Sequence, residues 1–147
     1  MNKCKELEED CLKEIMFKEI DIIQSVISRM ASNSFLIKGW TVTLVVGSLV
    51  LKNENSYVIA LIPIVVFWIL DAFFLRQERL FRKLYIWVIG NRLKSEDYLF
   101  NMDTSRFNSE VDGILLTMFS KTLLLFYGSQ LALVLFLIFK NSFFFCY

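Results

Sequence analysis

Three apolar runs, each long enough to cross a lipid bilayer, constrain the fold of this chain more than any other feature. The first is FLIKGWTVTLVVGSLVL at 35–51, and the second is YVIALIPIVVFWILDAFFL at 57–75. The third is KTLLLFYGSQLALVLFLIFK at 121–140. Because a helix rises about 1.5 Å per residue, about 20 residues cross a hydrocarbon core of about 30 Å. The runs predict an all-α integral membrane protein with about three transmembrane helices.

The composition agrees with lipid as the surrounding solvent. Of the 147 residues, 56% are hydrophobic and 16% are aromatic. A soluble protein of this length has too much surface for its volume to bury so many apolar side chains. We therefore expect a single membrane domain that covers residues 1–147.

Polar segments between the apolar runs divide this domain into four parts. Ser32, Asn33 and Ser34 are residues that cap helices, so we expect one helix to end there and the next to begin. Another helix is expected to end near Gly90–Asn91, before a loop rich in turn formers. The predicted parts are an amphipathic cytoplasmic helix at 1–34, a transmembrane hairpin at 35–75, a basic cytoplasmic helix and loop at 76–113, and a third transmembrane helix at 114–140.

Basic residues predict the orientation in the membrane. Cytoplasmic segments of membrane proteins carry an excess of lysine and arginine. Five such residues precede the first run and seven lie between the second and third, whereas the opposite side has only Lys52 and Lys140. The larger set is Lys3, Lys5, Lys13, Lys18, Arg29, Arg76, Arg79, Arg82, Lys83, Arg92, Lys94 and Arg106. We expect a multi-pass protein of the cell inner membrane, with a cytoplasmic N-terminus and an outer C-terminus.

A stripe of apolar residues gives the first helix one side that needs a partner. Met16, Ile20, Ile23, Ile27 and Met30 recur at alternating spacings of four and three, as in the seam of a coiled coil. The charged residues of this segment are expected to stay off the seam: Lys13, Lys18, Glu19 and Arg29. Packing against the chain's own helices is the favoured interpretation. Contact with a second copy or a partner helix, or binding to the membrane surface, are the alternatives.

Three charged residues are predicted to form a layer at one membrane depth. Asp71 lies near the end of the second run, Lys38 lies about one turn into the first, and Lys121 begins the third. An antiparallel hairpin would place Lys38 beside Asp71. The favoured interpretation is an ion pair that fixes the register of the helices, or side chains that reach the interface. The alternative is a ring of charges at the inner mouth of an oligomeric pore.

Small residues form a stripe along the first run. Gly39, Thr43 and Gly47 are spaced by four, the pattern that allows two membrane helices to approach closely. Gly128 and Ala132 form a similar small patch in the third run. Helix packing is favoured over the lining of a water path.

Several classes of chemistry are not expected. The chain has no histidine, and Cys4, Cys11 and Cys146 are too few and too scattered for a zinc site or a disulfide framework. No phosphate-binding loop, nucleophile elbow or paired carboxylates appear. The 16 basic and 15 acidic residues give no general affinity for nucleic acid. We expect no enzyme activity, no cofactor and no metal.

Three stretches together carry a family resemblance: IQSVISRMASNSFLIKGWTVTLV, FWILDAFFLRQERLFRKLY and FSKTLLLFYG. Over residues from about 20 to 130 the chain resembles a family of small bacterial multi-pass membrane proteins. The order of amphipathic helix, membrane hairpin and basic helix is similar to the SLATT-type effector modules of bacterial conflict systems. That architectural resemblance implies perforation of the membrane after a partner senses infection or a nucleotide signal. The third span departs from the SLATT arrangement.

These patterns lead to two functional hypotheses. The first is an oligomeric inner-membrane effector of a bacterial defence or conflict system, with a pore as one mode of action and a cytoplasmic partner protein as the source of the signal. The second is a membrane anchor or scaffold that recruits a cytoplasmic partner and conducts nothing. A transporter subunit ranks third, because three spans with few buried polar groups make a substrate site hard to build. Bilayer lipid and further copies of the chain are the other expected partners.

Overall fold

The computed structural model describes the backbone of residues 2–51, 56–93 and 97–145, and the side chains of 10–51, 56–93 and 97–141. The described residues form helices joined by turns and loops. The elements are α1 (Asn2–Val50), α2 (Ser56–Asn91), a one-turn 3-10 helix (Ser105–Phe107), α3 (Ile114–Met118) and α4 (Lys121–Phe145). The side chains of Lys3, Cys4, Lys5, Lys52, Lys94 and Cys146 lie outside the described residues.

Three of the helices are long and apolar enough to span a membrane, which confirms the predicted all-α fold. The apolar stretches lie within Asp10–Val50, Ser56–Asn91 and Lys121–Asn141. Many large apolar side chains of these helices are exposed on the outside of the bundle, as lipid contact requires. The helix that follows the second apolar run ends at Asn91, as predicted.

Helix α1 is not divided where the sequence predicted a break. Its 49 residues run through Ser32, Asn33 and Ser34 without interruption, so the expected separate helix at 1–34 is wrong. At about 1.5 Å per residue the helix is about 70 Å long. A capping preference is worth only about 1 kcal/mol. Here it is outweighed by packing against α2 on both sides of the expected break, where Ile27 and Ile37 are buried.

The third spanning helix begins later than the sequence predicted. The expected helix at 114–140 is divided into α3 and α4 by a turn at Phe119 and Ser120. The indole Nε1 of Trp68 on α2 donates a 2.9 Å hydrogen bond to the backbone oxygen of Met118, the last residue of α3. This bond satisfies a carbonyl that the break leaves without an intrahelical partner. The spanning segment therefore starts at Lys121.

Two apolar clusters hold the helices together at different levels. The cluster in the apolar segments joins α1, α2 and α4 through Val45, Ala60, Ile64, Ala72, Leu123, Tyr127 and Val134. The other lies in the stalk, defined here as residues 10–33 of α1 and 76–91 of α2. Its buried members are Ile23, Ile27, Leu80, Leu84, Val88 and Phe107. The stalk thus has its own core, which the 3-10 helix completes.

The apolar seam of α1 is used inside the chain. Ile23 and Ile27 are buried against α2, Met16 and Ile20 pack at the edge of the same cluster, and Met30 is half-buried. This packing agrees with the favoured interpretation of the seam, and it leaves Ile23 and Ile27 unavailable to a second copy. Glu19 does not stay off this side of the helix, since it is buried with only 1% of its surface exposed.

A substitution in the stalk core tests this packing. Leu84 is 1% exposed and Ile86, two residues away on α2, is 64% exposed. We expect Leu84→Ala to destabilise the stalk by about 2–4 kcal/mol, because it leaves a cavity among packed side chains. Ile86→Ala is the matched control and should change stability by less than about 0.5 kcal/mol. The measurement is thermal unfolding in detergent followed by circular dichroism. Equal effects of the two substitutions would contradict the packing.

Candidate functional site

A buried carboxylate ties three helices together where the stalk meets the apolar segments. Asp71 on α2 is fully buried. Its Oδ2 lies 2.6 Å from the Nζ of Lys38 on α1. The hydroxyl of Ser34, one turn before Lys38, donates to Oδ1, and Lys38 in turn donates a 2.7 Å hydrogen bond to Ser34 Oγ. The predicted Lys38–Asp71 pair is present, and Ser34 extends it.

Helix α4 supplies the third side of this group. The hydroxyl of Tyr127 lies 3.1 Å from Oδ2 of Asp71 and 3.3 Å from the backbone oxygen of Phe67. The ring of Tyr127 stacks on that of Trp68, with centroids 5.8 Å apart. Because Trp68 also binds the end of α3, one patch of α2 fixes both the position and the starting point of α4. Ser34, Lys38, Asp71 and Tyr127 are called the Asp71 cluster below.

The contacts of the Asp71 cluster favour a structural role for the carboxylate over a pore mouth. Both oxygens of Asp71 have partners inside the chain, and the positive charge of Lys38 lies against it. A charge at membrane depth is costly unless it is paired in this way. Of the two interpretations of the charged layer, the geometry agrees with the ion pair that fixes helix register.

Lys121 lies at the start of α4 but does not join the Asp71 cluster. Its side chain is exposed, and it forms no ion pair with the residues that the structure describes. It shares the wall of a groove with Lys38. The predicted layer is therefore a buried pair with one additional lysine beside it.

The small residues do not pack against other helices of the same chain. Gly39, Thr43 and Gly47 lie on an exposed side of α1, and a Cβ atom built on either glycine meets nothing within 4 Å. On α4, Gly128 is half-buried and Ala132 is exposed. The Gly39–Thr43–Gly47 stripe is available for contact with lipid or with a second copy.

A second buried ion pair joins α1 to the end of α2 that lies away from the apolar segments. Glu19 on α1 and Arg92 just beyond α2 are both almost completely buried, and Arg92 Nη2 donates a 2.8 Å hydrogen bond to Glu19 Oε1. The backbone amide of Phe100 donates to the same oxygen at 2.6 Å. Arg92 also donates to the backbone oxygens of Asp97 and Tyr98, at 2.7 and 3.2 Å. These contacts attach the loop after α2 to α1.

The same loop contains backbone strain that the Glu19–Arg92 pair offsets. Tyr98 and Phe100 have positive φ angles of 59° and 51°, a region that bulky residues rarely adopt. Both backbones are held by hydrogen bonds from or to the buried pair. The pair was missed from the sequence, although Glu19, Ile23 and Ile27 share one row of an α-helix at spacings of four. This row places Glu19 on the same side of α1 as the two isoleucines, and it could have predicted that Glu19 is buried.

The rest of the loop binds the basic side of α2. Arg76 donates to the backbone oxygen of Asp112 and to Oδ1 of Asn108, at 3.1 and 3.0 Å. Arg79 lies 3.3 Å from Asp112 Oδ2, and Lys83 lies 3.2 Å from a Glu110 oxygen. Arg76, Arg79 and Lys83, which belong to the basic residues that predicted the orientation in the membrane, thus also position the loop.

Aromatic rings and a local turn complete the loop. The Arg106 guanidinium lies 4.1 Å from the ring centroid of Trp87 and 4.6 Å from that of Tyr98, within the range of cation–π attraction. Hydrogen bonds from the backbone and side chain of Ser105 lower the pKa of the Asp103 carboxyl. Contacts with α2 and contacts within the loop therefore hold the loop against the stalk.

The Asp71 cluster and the Glu19–Arg92 pair are groups of polar side chains that bind one another and neighbouring backbone atoms. No group of three potential metal ligands occurs among the described residues, and the one cysteine with a described side chain, Cys11, is an exposed free thiol. The polar atoms of the Asp71 cluster bind one another across α1, α2 and α4. Such an arrangement fixes the positions of the three helices relative to one another, so that a displacement of one helix would also displace the other two.

A double-mutant cycle tests the Asp71 cluster. We expect Asp71→Ala and Lys38→Ala each to destabilise the protein by about 3–5 kcal/mol, because each leaves a buried charge without its partner. The double substitution should cost less than the sum, with a coupling energy of about 1–3 kcal/mol. The measurement is thermal unfolding in lipid-free detergent.

Lys121→Ala is the matched control, because this lysine lies beside the cluster and has no described ion pair. It should leave the stability in lipid-free detergent unchanged and should show no coupling to Asp71→Ala. Additive effects of the Lys38 and Asp71 substitutions would mean that the two side chains do not interact.

No protein-family model matches the chain, no curated protein matches it, and no solved structure matches its fold.

Proposed function

We propose that the chain is an oligomeric membrane effector, which alters the membrane when a cytoplasmic partner acts on the stalk. The observation that carries this proposal is the continuity of the two long helices. Helix α1 runs without a break from the stalk into its apolar segment, and α2 does the same in the opposite direction. A partner that displaces the stalk would therefore also displace the membrane-spanning segments of α1 and α2.

The Asp71 cluster supports this proposal because it lies where the stalk meets the membrane. It binds α4 to the hairpin through Tyr127, so the third span follows a movement of the other two. A protein that served only as an anchor would need neither continuous helices nor a polar contact among all three spans.

Contact between copies is proposed for the outer side of α1. The Gly39–Thr43–Gly47 stripe is exposed and unused within the chain. Small residues at this spacing allow two membrane helices to pack closely. Because Ile23 and Ile27 of the apolar seam are buried inside the chain, the proposal of an oligomer rests on this stripe rather than on the seam.

The setting of the effector is proposed from the sequence. The excess of lysine and arginine on the stalk side supports a cytoplasmic stalk in the inner membrane of a bacterium. The architectural resemblance to SLATT-type modules supports a role in defence or conflict, with a pore as the mode of action. The partner protein would bind the stalk, whose α1 continues beyond the buried Glu19 toward the N-terminus.

A non-conducting anchor is the second candidate, and one observation favours it. Lys38 and Asp71 neutralise each other inside the bundle, so they do not present a ring of charges to a pore. In this case the stalk would recruit a cytoplasmic protein, and the stripe on α1 would face lipid.

Expression in bacterial cells distinguishes the two candidates. We expect the wild-type chain to depolarise the membrane, measured with a potential-sensitive dye, and to form a ladder of crosslinked species. Gly47→Leu should abolish both, because the added side chain separates helices that pack through the stripe. Gly90→Leu is the matched control, since Gly90 is equally open but lies in the stalk, and it should change neither.

Oligomerisation and membrane potential together distinguish the effector from the anchor. A wild-type chain that is monomeric and leaves the membrane potential unchanged would contradict the effector and support the anchor. Equal loss of activity with Gly47→Leu and Gly90→Leu would contradict a specific role for the stripe.

A further inference from the structure

A groove between α1 and α4 combines positive charge with an apolar wall. Its volume is about 580 Å³, and it is lined by Lys38, Lys121, Thr122, Leu125, Phe126 and Ser129. Along α4 the groove runs from Lys121 and Thr122 in the first turn to Leu125 and Phe126 in the second. The two lysines therefore lie at the end nearest the stalk, and the groove continues past Leu125 and Phe126 to Ser129, whose hydroxyl donates to the backbone oxygen of Phe126.

The charge of the groove is not fully compensated by the protein. The Lys38 ammonium uses two of its three donors, on Asp71 and Ser34, and Asp71 balances its charge. Lys121 has no ion pair with the residues that the structure describes. One net positive charge therefore remains beside the groove, together with a lysine donor that is not used by the Asp71 cluster.

The position of the groove restricts what can enter it. Its lining consists of Lys38 on α1 and five residues of α4, and both helices are long and apolar enough to span a membrane, so in a bilayer its deeper part would face lipid. Leu125, on the wall, is 77% exposed. A ligand with a negatively charged head and an apolar tail satisfies both ends, whereas a soluble anion would leave the apolar wall uncovered.

We propose that this groove is a binding site for an anionic phospholipid of the leaflet on the stalk side. The headgroup phosphate accepts hydrogen bonds from Lys121 and from the remaining donor of Lys38, with the Thr122 hydroxyl beside them. An acyl chain lies against Leu125 and Phe126. The single uncompensated charge matches a phospholipid with one net negative charge rather than a zwitterionic one. Because Lys38 also contacts Asp71, a bound lipid would be linked to the group that joins the three spans.

The site can be tested by counting bound lipids. The purified chain of residues 1–147 is placed in nanodiscs of mixed zwitterionic and anionic phospholipid. Native mass spectrometry then identifies the lipids that the chain retains. We expect the wild-type chain to retain the anionic lipid preferentially. Lys121→Gln should reduce that preference about five-fold, since a lysine near an anionic headgroup is worth about 1 kcal/mol.

The matched control is Lys140→Gln, because Lys140 is the exposed lysine near the other end of α4 and lines a different groove. It should retain the wild-type preference. No preference in the wild type, or equal loss with both substitutions, would overturn the proposal. Millimolar inorganic phosphate should not displace the lipid, and displacement would show a site for a free anion instead.

A labelling experiment covers the case in which Lys121→Gln does not fold. An anionic phospholipid with a photoreactive acyl chain is incorporated with the wild-type chain and activated by light. We expect labelled residues within 121–129 of α4. Labelling confined to other parts of the chain would overturn the proposal.

Discussion

A carboxylate at membrane depth has to be neutralised by the protein, and the way Asp71 is neutralised determines how the spans are arranged. Its partners come from α1 and α4, while Asp71 itself belongs to α2. If α1 shifted by one residue along its axis, about 1.5 Å, the ammonium of Lys38 and the hydroxyl of Ser34 would both move relative to the carboxylate. The apolar side chains around the cluster tolerate small displacements better, because dispersion contacts are not directional. The polar contacts therefore set the register, and the apolar cluster provides most of the contact area.

The stalk is also held by an apolar core together with a buried ion pair. Ile23, Ile27, Leu84 and Val88 provide an apolar core, and the buried Glu19–Arg92 pair fixes its far end. Breaking either buried pair would leave a charge without a partner, so each pair penalises sliding of α1 against α2. Two such pairs between α1 and α2 make the two helices a stiff unit. Stiffness is what the proposed effector needs, because it lets a partner bound to the stalk act on the membrane-spanning segments.

The features that were predictable from the sequence are those set by periodicity and length. The three apolar runs, the seam of α1 and the end of α2 at Asn91 follow from local patterns. The Lys38–Asp71 pair was predictable because only a few residues separate the first two apolar runs in the sequence, so two antiparallel helices place these side chains at similar depth. The continuity of α1, the division between α3 and α4, and the Glu19–Arg92 pair depend on contacts distant in sequence. Local rules favoured a cap at Ser32–Ser34 and an exposed Glu19, and tertiary packing overrode both.

The central claim is that the stalk and the first span are one rigid helix, and a distance measurement across residues 32–34 tests it directly. Spin labels at Gln24 and Val42, in a chain whose cysteines are replaced by serine, lie on exposed positions five full turns apart. Pulsed electron paramagnetic resonance in nanodiscs should give one narrow distribution near 27 Å, the rise of an unbroken helix over that interval. A broad distribution, or one centred at a clearly shorter distance, would show a hinge between the stalk and the membrane and would contradict the account.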